Sequence, residues 1–235
     1  MLSRMAIFSR RKQTPLEKAL GVKFKNPSML EEALTHTSFC HENPGSVSNE
    51  RLEFLGDAVL GLVVAEELFH LKPGLSEGEM TQLRASLVSG EALAKLGSSL
   101  GLGQHLRLGK GEEASGGRER PSNLARALEA LVGAIYLDRG LEEVRSYVDR
   151  AFKEEWERVL GGEALDYKSR LQEVLQARGE PLPRYRLLDQ TGPGHARRFT
   201  VEVRVGRRTL GRGQGKSKKG AEQTAARSAL ERLGK

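Results

Sequence analysis

Glu50, Glu53 and Asp57 sit in the nonapeptide Asn49-Glu-Arg-Leu-Glu-Phe-Leu-Gly-Asp57 at intervals of three and four residues. On a helix this spacing lines all three carboxylates along one face. Leu52, Phe54 and Leu55 interleave with them, and the stretch Ala58–Leu71 is apolar except for Glu66, Glu67 and His70. Carboxylates drawn into such surroundings are costly unless neutralised, and a divalent cation is the simplest neutraliser. The alternative is an acidic helix start left in water near the positive pole of the dipole. Glu129 offers a fourth carboxylate within the apolar run Leu124, Leu128, Leu131, Val132 and Ile135. It needs either a basic partner such as Arg126 or a share in a cation held by the first cluster. Oxygen-only ligation suits Mg²⁺, or Mn²⁺ in its place, rather than zinc.

These residues must be positioned by helices. Residues 14–160 carry apolar positions at helical period without strand alternation, and helices are expected near 14–20, 27–39, 49–71, 76–97, 122–138 and 141–158. The span 109–120, with four glycines and six charged residues, reads as a loop, either touching the backbone of a polyanionic partner through Lys110, Arg118 and Arg120 or merely solvated. The near-continuous apolar helix 52–69 suits a buried dimer seam or an intramolecular core equally. Residues 1–13 read as a disordered basic tail and 161–165 as a pliable linker.

Beyond the linker the pattern changes. Residues 166–178 form an amphipathic helix, 184–188 a strand, and Phe199, Val201, Val203 and Val205 a half-buried strand. A third strand follows near 209–213, then an alanine-rich helix over 217–233. The fold class is therefore an all-α domain over 14–160 followed by a small α-β-β-β-α domain over 166–235, two helices on one face of an antiparallel sheet.

Charge divides in the same place. Residues 164–235 hold 17 Lys and Arg against 7 Asp and Glu, whereas residues 1–163 hold 21 against 24. A basic module appended to an acidic one points to a polyanionic partner. Lys216, Lys218 and Lys219 crowd the start of the last helix, where positive charge opposes the dipole unless a phosphate binds there. Cys40 is the only cysteine, which excludes an internal disulfide and a CysxxCys metal site. No run of residues reaches the length of a membrane span, and a cytoplasmic setting is expected.

The nonapeptide resembles the signature of the ribonuclease III family, metal-dependent endonucleases that cut double-stranded RNA. Residues 122–131, Ser-Asn-Leu-Ala-Arg-Ala-Leu-Glu-Ala-Leu, resemble its second motif. The resemblance implies Glu50, Glu53, Asp57 and Glu129 as active-site acids, with Glu53, Asp57 and Glu129 holding Mg²⁺ or Mn²⁺. It also implies a homodimer, products with 5′-phosphate and 3′-hydroxyl ends and short 3′ overhangs, and a role in processing rRNA and mRNA precursors without a small-molecule cofactor. One departure stands out: where the family has a metal-binding aspartate, this chain has Arg126. Arg126 then either swings aside, or pairs with Glu129 or a substrate phosphate, or leaves a protein that binds duplexes without cutting them. His36, in Leu34-Thr35-His36-Thr37-Ser38, also matches a family motif and reads as structural.

Residues 165–234 resemble a double-stranded RNA-binding domain. The resemblance implies RNA contacts by Lys216, Lys218, Lys219 and Gln223, by Gln172 and Glu173 on its first helix, and by Pro193 and His195 in the loop 192–195. Such domains read A-form shape over roughly 16 base pairs rather than sequence.

Overall fold

The computed structural model describes residues 11–71, 73–161, 164–193 and 197–234. His195, linker residues 162 and 163 and tail residues 1–10 lie outside the described residues. The chain divides into two compact units. One runs to Leu68 and resumes over Arg84–Ala151. The other comprises Phe69–Leu83 and everything from Phe152 onward.

Helices in chain order are α1 (Pro15–Leu20), α2 (Pro27–Ala33), α3 (Thr37–Glu42), α4 (Glu50–Leu71), α5 (Glu77–Leu87), α6 (Gly90–Ser99), α7 (Lys110–Ala114), α8 (Pro121–Arg139), α9 (Leu141–Ala151) and α10 (Lys153–Gly161). A short 3₁₀ turn covers Leu102–His105. Three of the expected boundaries are corrected by local hydrogen bonding. The helix foreseen over 27–39 breaks because Thr35 bridges to Arg107 and the His36 ring accepts the Ser38 N–H as the N-cap of α3. The one foreseen over 76–97 breaks where Ser89 caps α6 through the Ala92 N–H. That foreseen over 141–158 breaks between Ala151 and Lys153.

α8 is the core helix of the first unit, with Leu124, Ala127, Leu128, Leu131, Val132 and Ile135 buried. α4 crosses it backbone to backbone. A Cβ built on Gly56 would stand 1.8 Å from the Glu129 carbonyl oxygen, and one on Gly133 would stand 2.3 Å from that of Leu52. Only glycine permits this approach. The end of α8 is held by Asp138, whose carboxylate accepts the Lys25 and Asn26 N–H groups at 2.7 and 2.8 Å.

In the second unit α11 (Tyr167–Ala177) precedes β1 (Arg184–Thr191), β2 (Arg198–Val205), β3 (Arg208–Gly215) and α12 (Lys218–Arg232). The strands form an antiparallel sheet in the order β1-β2-β3. β1 and β3 each run a few residues longer than their sequence pattern suggests. Val201, Val203 and Val205 alternate inward, as their spacing requires. Gly211, Gly213 and Gly215 leave room for α12: Cβ atoms there would lie 2.4, 2.2 and 2.5 Å from Ala225 or Ala221 backbone atoms. Glycine at every second strand position thus meets alanine at every fourth helix position. Elsewhere in this unit, buried Glu79 accepts hydrogen bonds from the Tyr167 hydroxyl and the Ser76 N–H and pairs with Arg227. Burial alone would raise its pKa, but these partners together hold it below the ordinary value.

Candidate active site and nucleic-acid interface

The Gly56 crossing puts the first turns of α4 beside the middle of α8, and with them Glu53, Asp57 and Glu129. Burial raises the Glu129 carboxyl to about 7, and the nearby charges of Asp57 and then Glu53 push the same way. Glu53 is raised too, by burial first and by Glu50 and Asp57. Asp57 acts on both Glu53 and Glu129, which sets these carboxylates in one field. Glu50 stands at the rim, exposed and accepting a hydrogen bond from the Ser48 hydroxyl at 2.8 Å.

Arg126 lies one turn before Glu129 on α8 and is exposed. Its Nε sits 3.6 Å from Glu53 Oε1, so it pairs across to α4 rather than along its own helix to Glu129. Its charge lowers the pKa of both Glu53 and Glu129 without cancelling the upward shifts. Among the described residues no three His, Cys, Asp or Glu side chains are drawn tightly enough around one point to ligate an ion. The donor chemistry nevertheless fits a hard divalent cation: oxygen atoms only, and a half-buried carboxyl whose pKa is raised by desolvation first and then by its negative neighbours.

Supporting residues escaped the sequence reading. Asn49 is buried just before α4 and donates to the Ala33 carbonyl at 3.2 Å. Asn123, at the start of α8, donates to Glu112 Oε1 at 2.7 Å and to the Gly117 carbonyl at 3.0 Å. The span 109–120 is therefore not a free loop. It contains α7, Arg118 donates to the Gly103 and Leu106 carbonyls at 2.9 Å each, and Arg120 pairs with Glu112. Of its three basic residues, Lys110 alone has neither an ion pair nor a side-chain hydrogen bond among the described residues. His36 is lowered in pKa, chiefly by burial, which suits a neutral ring whose Nδ1 accepts the Ser38 N–H.

In the second unit Lys216, Lys218 and Lys219 are all exposed around the N-terminus of α12, where the Ser217 hydroxyl accepts the Gly220 N–H. Gln172, Glu173 and Pro193 are exposed as well. Gln223 corrects its expectation. It is buried, accepting the Lys168 N–H at 3.0 Å and donating to Asp166 at 3.3 Å, so it ties α12 to the start of α11 instead of facing a ligand.

A Ribonuclease-III-like family model matches residues 26–155, and a double-stranded RNA binding motif matches residues 167–233. The chain is 50% identical over 223 residues to Ribonuclease 3 of Dehalococcoides mccartyi, covering 94% of each sequence. It is 50% identical over 213 residues to Ribonuclease 3 of Symbiobacterium thermophilum, covering 90% of each. The nuclease domain of ribonuclease III from Campylobacter jejuni, solved in a study of a region involved in dimer formation, superposes with a TM-score of 0.56. Its identity is 46%, over 60% of this chain and 95% of that one. With its helical nuclease domain and its duplex-RNA-binding domain, the chain belongs to the ribonuclease III family of endoribonucleases.

Proposed function

We propose that this chain hydrolyses phosphodiester bonds in double-stranded RNA at the α4–α8 crossing, in a Mg²⁺-dependent reaction that Mn²⁺ also supports. The observation that carries the reading is the close α4–α8 crossing at Gly56 and Glu129, which brings Glu53 and Asp57 near enough to Glu129 to act on its carboxyl. Glu53, Asp57 and Glu129 would hold a divalent ion, which when bound would supply electrostatic stabilisation of phosphoryl oxygens and a more nucleophilic water. Without a cation the Glu129 carboxyl is raised to about 7, and an ion bound there would take the place of its proton. Glu50, at the rim, adds negative charge that favours cation capture. Products carrying 5′-phosphate and 3′-hydroxyl ends with short 3′ overhangs belong to this reading, as does processing of rRNA and mRNA precursors.

The duplex is delivered by the second unit. Lys216, Lys218 and Lys219 with the α12 N–H groups take backbone phosphates, while Gln172, Glu173 and the loop carrying Pro193 and His195 meet minor grooves. Two copies act together, joined through the outer side of α4, where Phe54 and Leu62 are exposed. No described helix is long and apolar enough to cross a membrane, and we place the activity in the cytoplasm.

The Arg126–Glu53 pair supports a second reading, a duplex binder with impaired cleavage. Incubating a long RNA duplex with Mg²⁺ or Mn²⁺ and mapping the ends separates the two. Fragments with 5′-phosphates are expected; retained binding with no cleavage by either ion would leave the second reading standing.

A further inference from the structure

We infer that Arg126 is a resident cation of the acidic site, competing with the divalent ion for Glu53 and thereby setting the ion affinity of this chain. The inference rests on the metal-site reading above and deepens it. Its ground is the Arg126 Nε to Glu53 Oε1 approach of 3.6 Å, made across the helix crossing rather than along α8. Glu129 is the residue nearest in sequence that Arg126 could pair with at helical spacing, yet the guanidinium reaches the other helix. It lowers the pKa of both Glu53 and Glu129 and so acts on the cluster as a whole.

A guanidinium cannot release its proton at any ordinary pH, so its charge is permanent. A divalent ion entering among Glu53, Asp57 and Glu129 meets that charge and must displace it from Glu53 or share the carboxylate with it. Arg126 is free to leave, because its side chain is 59% exposed while that of Glu53 is 26% exposed. The exchange is a swap of counter-ions on one carboxylate, with no other rearrangement of the crossing. It makes ion uptake weaker, and more sensitive to the charge at position 126, than the carboxylates alone dictate.

Titration calorimetry of Mn²⁺ into the full-length chain, with no RNA present, tests this on wild type, R126A, R126K and R126D. R126A is expected to bind Mn²⁺ about tenfold tighter, R126D tighter again, and R126K close to wild type. Circular dichroism establishes that each variant is folded. A second readout is thermal unfolding at pH 8. R126A melts lower than wild type in chelator, because its carboxylates lose their counter-ion, and regains the difference when Mn²⁺ is saturating. Equal Mn²⁺ affinity in wild type, R126A and R126D overturns the inference while leaving the metal site intact. Absence of Mn²⁺ uptake in every variant, together with no cleavage, overturns the metal-site reading and this inference with it.

Discussion

Gly56 and Glu129 meet where α4 crosses α8, so closely that a Cβ on Gly56 would stand 1.8 Å from the Glu129 carbonyl oxygen. The contact is backbone against backbone, with Gly133 meeting the Leu52 carbonyl within the same crossing. It positions the candidate site, because Glu53 and Asp57 flank Gly56 and Glu129 carries the oxygen that would be struck.

Gly56→Ala should therefore do more harm than its size suggests. Glycine to alanine inside a helix ordinarily gains up to about 1 kcal/mol in propensity. Here the helices would have to separate, and overpacking costs of about 3 kcal/mol outweigh that gain. Urea unfolding should show the loss, and cleavage should fall with it. An unchanged midpoint would mean that the two helices can slide apart cheaply.

Glu129 predicts a pH dependence of stability. Its folded pKa of about 7 lies above the ordinary 4.5, so the folded state binds a proton more tightly than the unfolded chain. The resulting stabilisation is complete below pH 4.5 and is lost as pH rises through 7. A full conversion gives about 3 kcal/mol, but Glu129 is only half-buried, and screening reduces the expectation to about 1–2 kcal/mol. In chelator, Glu129→Gln should be more stable than wild type by that amount at pH 8 and equal to it at pH 4. A difference that persists unchanged at pH 4 would sink the argument. The same variant should lose cleavage and keep duplex binding.

The acids were legible because the period that buries Leu52, Val59 and Val63 also fixes where Glu53 and Asp57 point. The α-β-β-β-α order was legible for the same reason, in the alternation from Phe199 to Val205. What did not show were contacts made across long sequence separations. Thr35 with Arg107 divides the helix expected over 27–39, and nothing near Thr35 signals it. Gly56 and Gly133 did leave a trace, since a glycine within an apolar helix carries a propensity cost that asks for a packing reason. Gln223 was misread because it follows the lysines closely in sequence, whereas the helix turns it inward to Lys168 and Asp166.

That contrast yields a paired prediction in the second unit. Lys218→Ala with Lys219→Ala should weaken binding to every RNA duplex alike and reduce the slope of log affinity against log salt by about 2, one for each phosphate contact. Gln223→Ala should leave that slope unchanged and cost about 1 kcal/mol of stability, because it frees the Lys168 N–H from its partner. Filter binding across a salt series, read beside thermal melts, separates the two. A sequence-dependent loss in the lysine variant would contradict phosphate contact.

The outer side of α4 carries the last prediction. Leu52, Val59, Leu60 and Val63 are buried within the first unit, so the intramolecular core claims only one side of the helix. Phe54 is 82% exposed and Leu62 57% exposed, and with Ala58 between them they form a line at intervals of four residues. An apolar line of this kind beside the acidic residues suits a second copy of α4, which would set two sites side by side on one duplex. Phe54→Glu with Leu62→Glu adds two charges to that line without touching the buried side, so each chain should stay folded. Sedimentation equilibrium is expected to show dimers for wild type and monomers for the double variant. Coordinated cutting of both strands should be lost, while binding through the second unit survives. If the double variant remains dimeric, the seam lies elsewhere, and the exposed line on α4 does not pair the two sites.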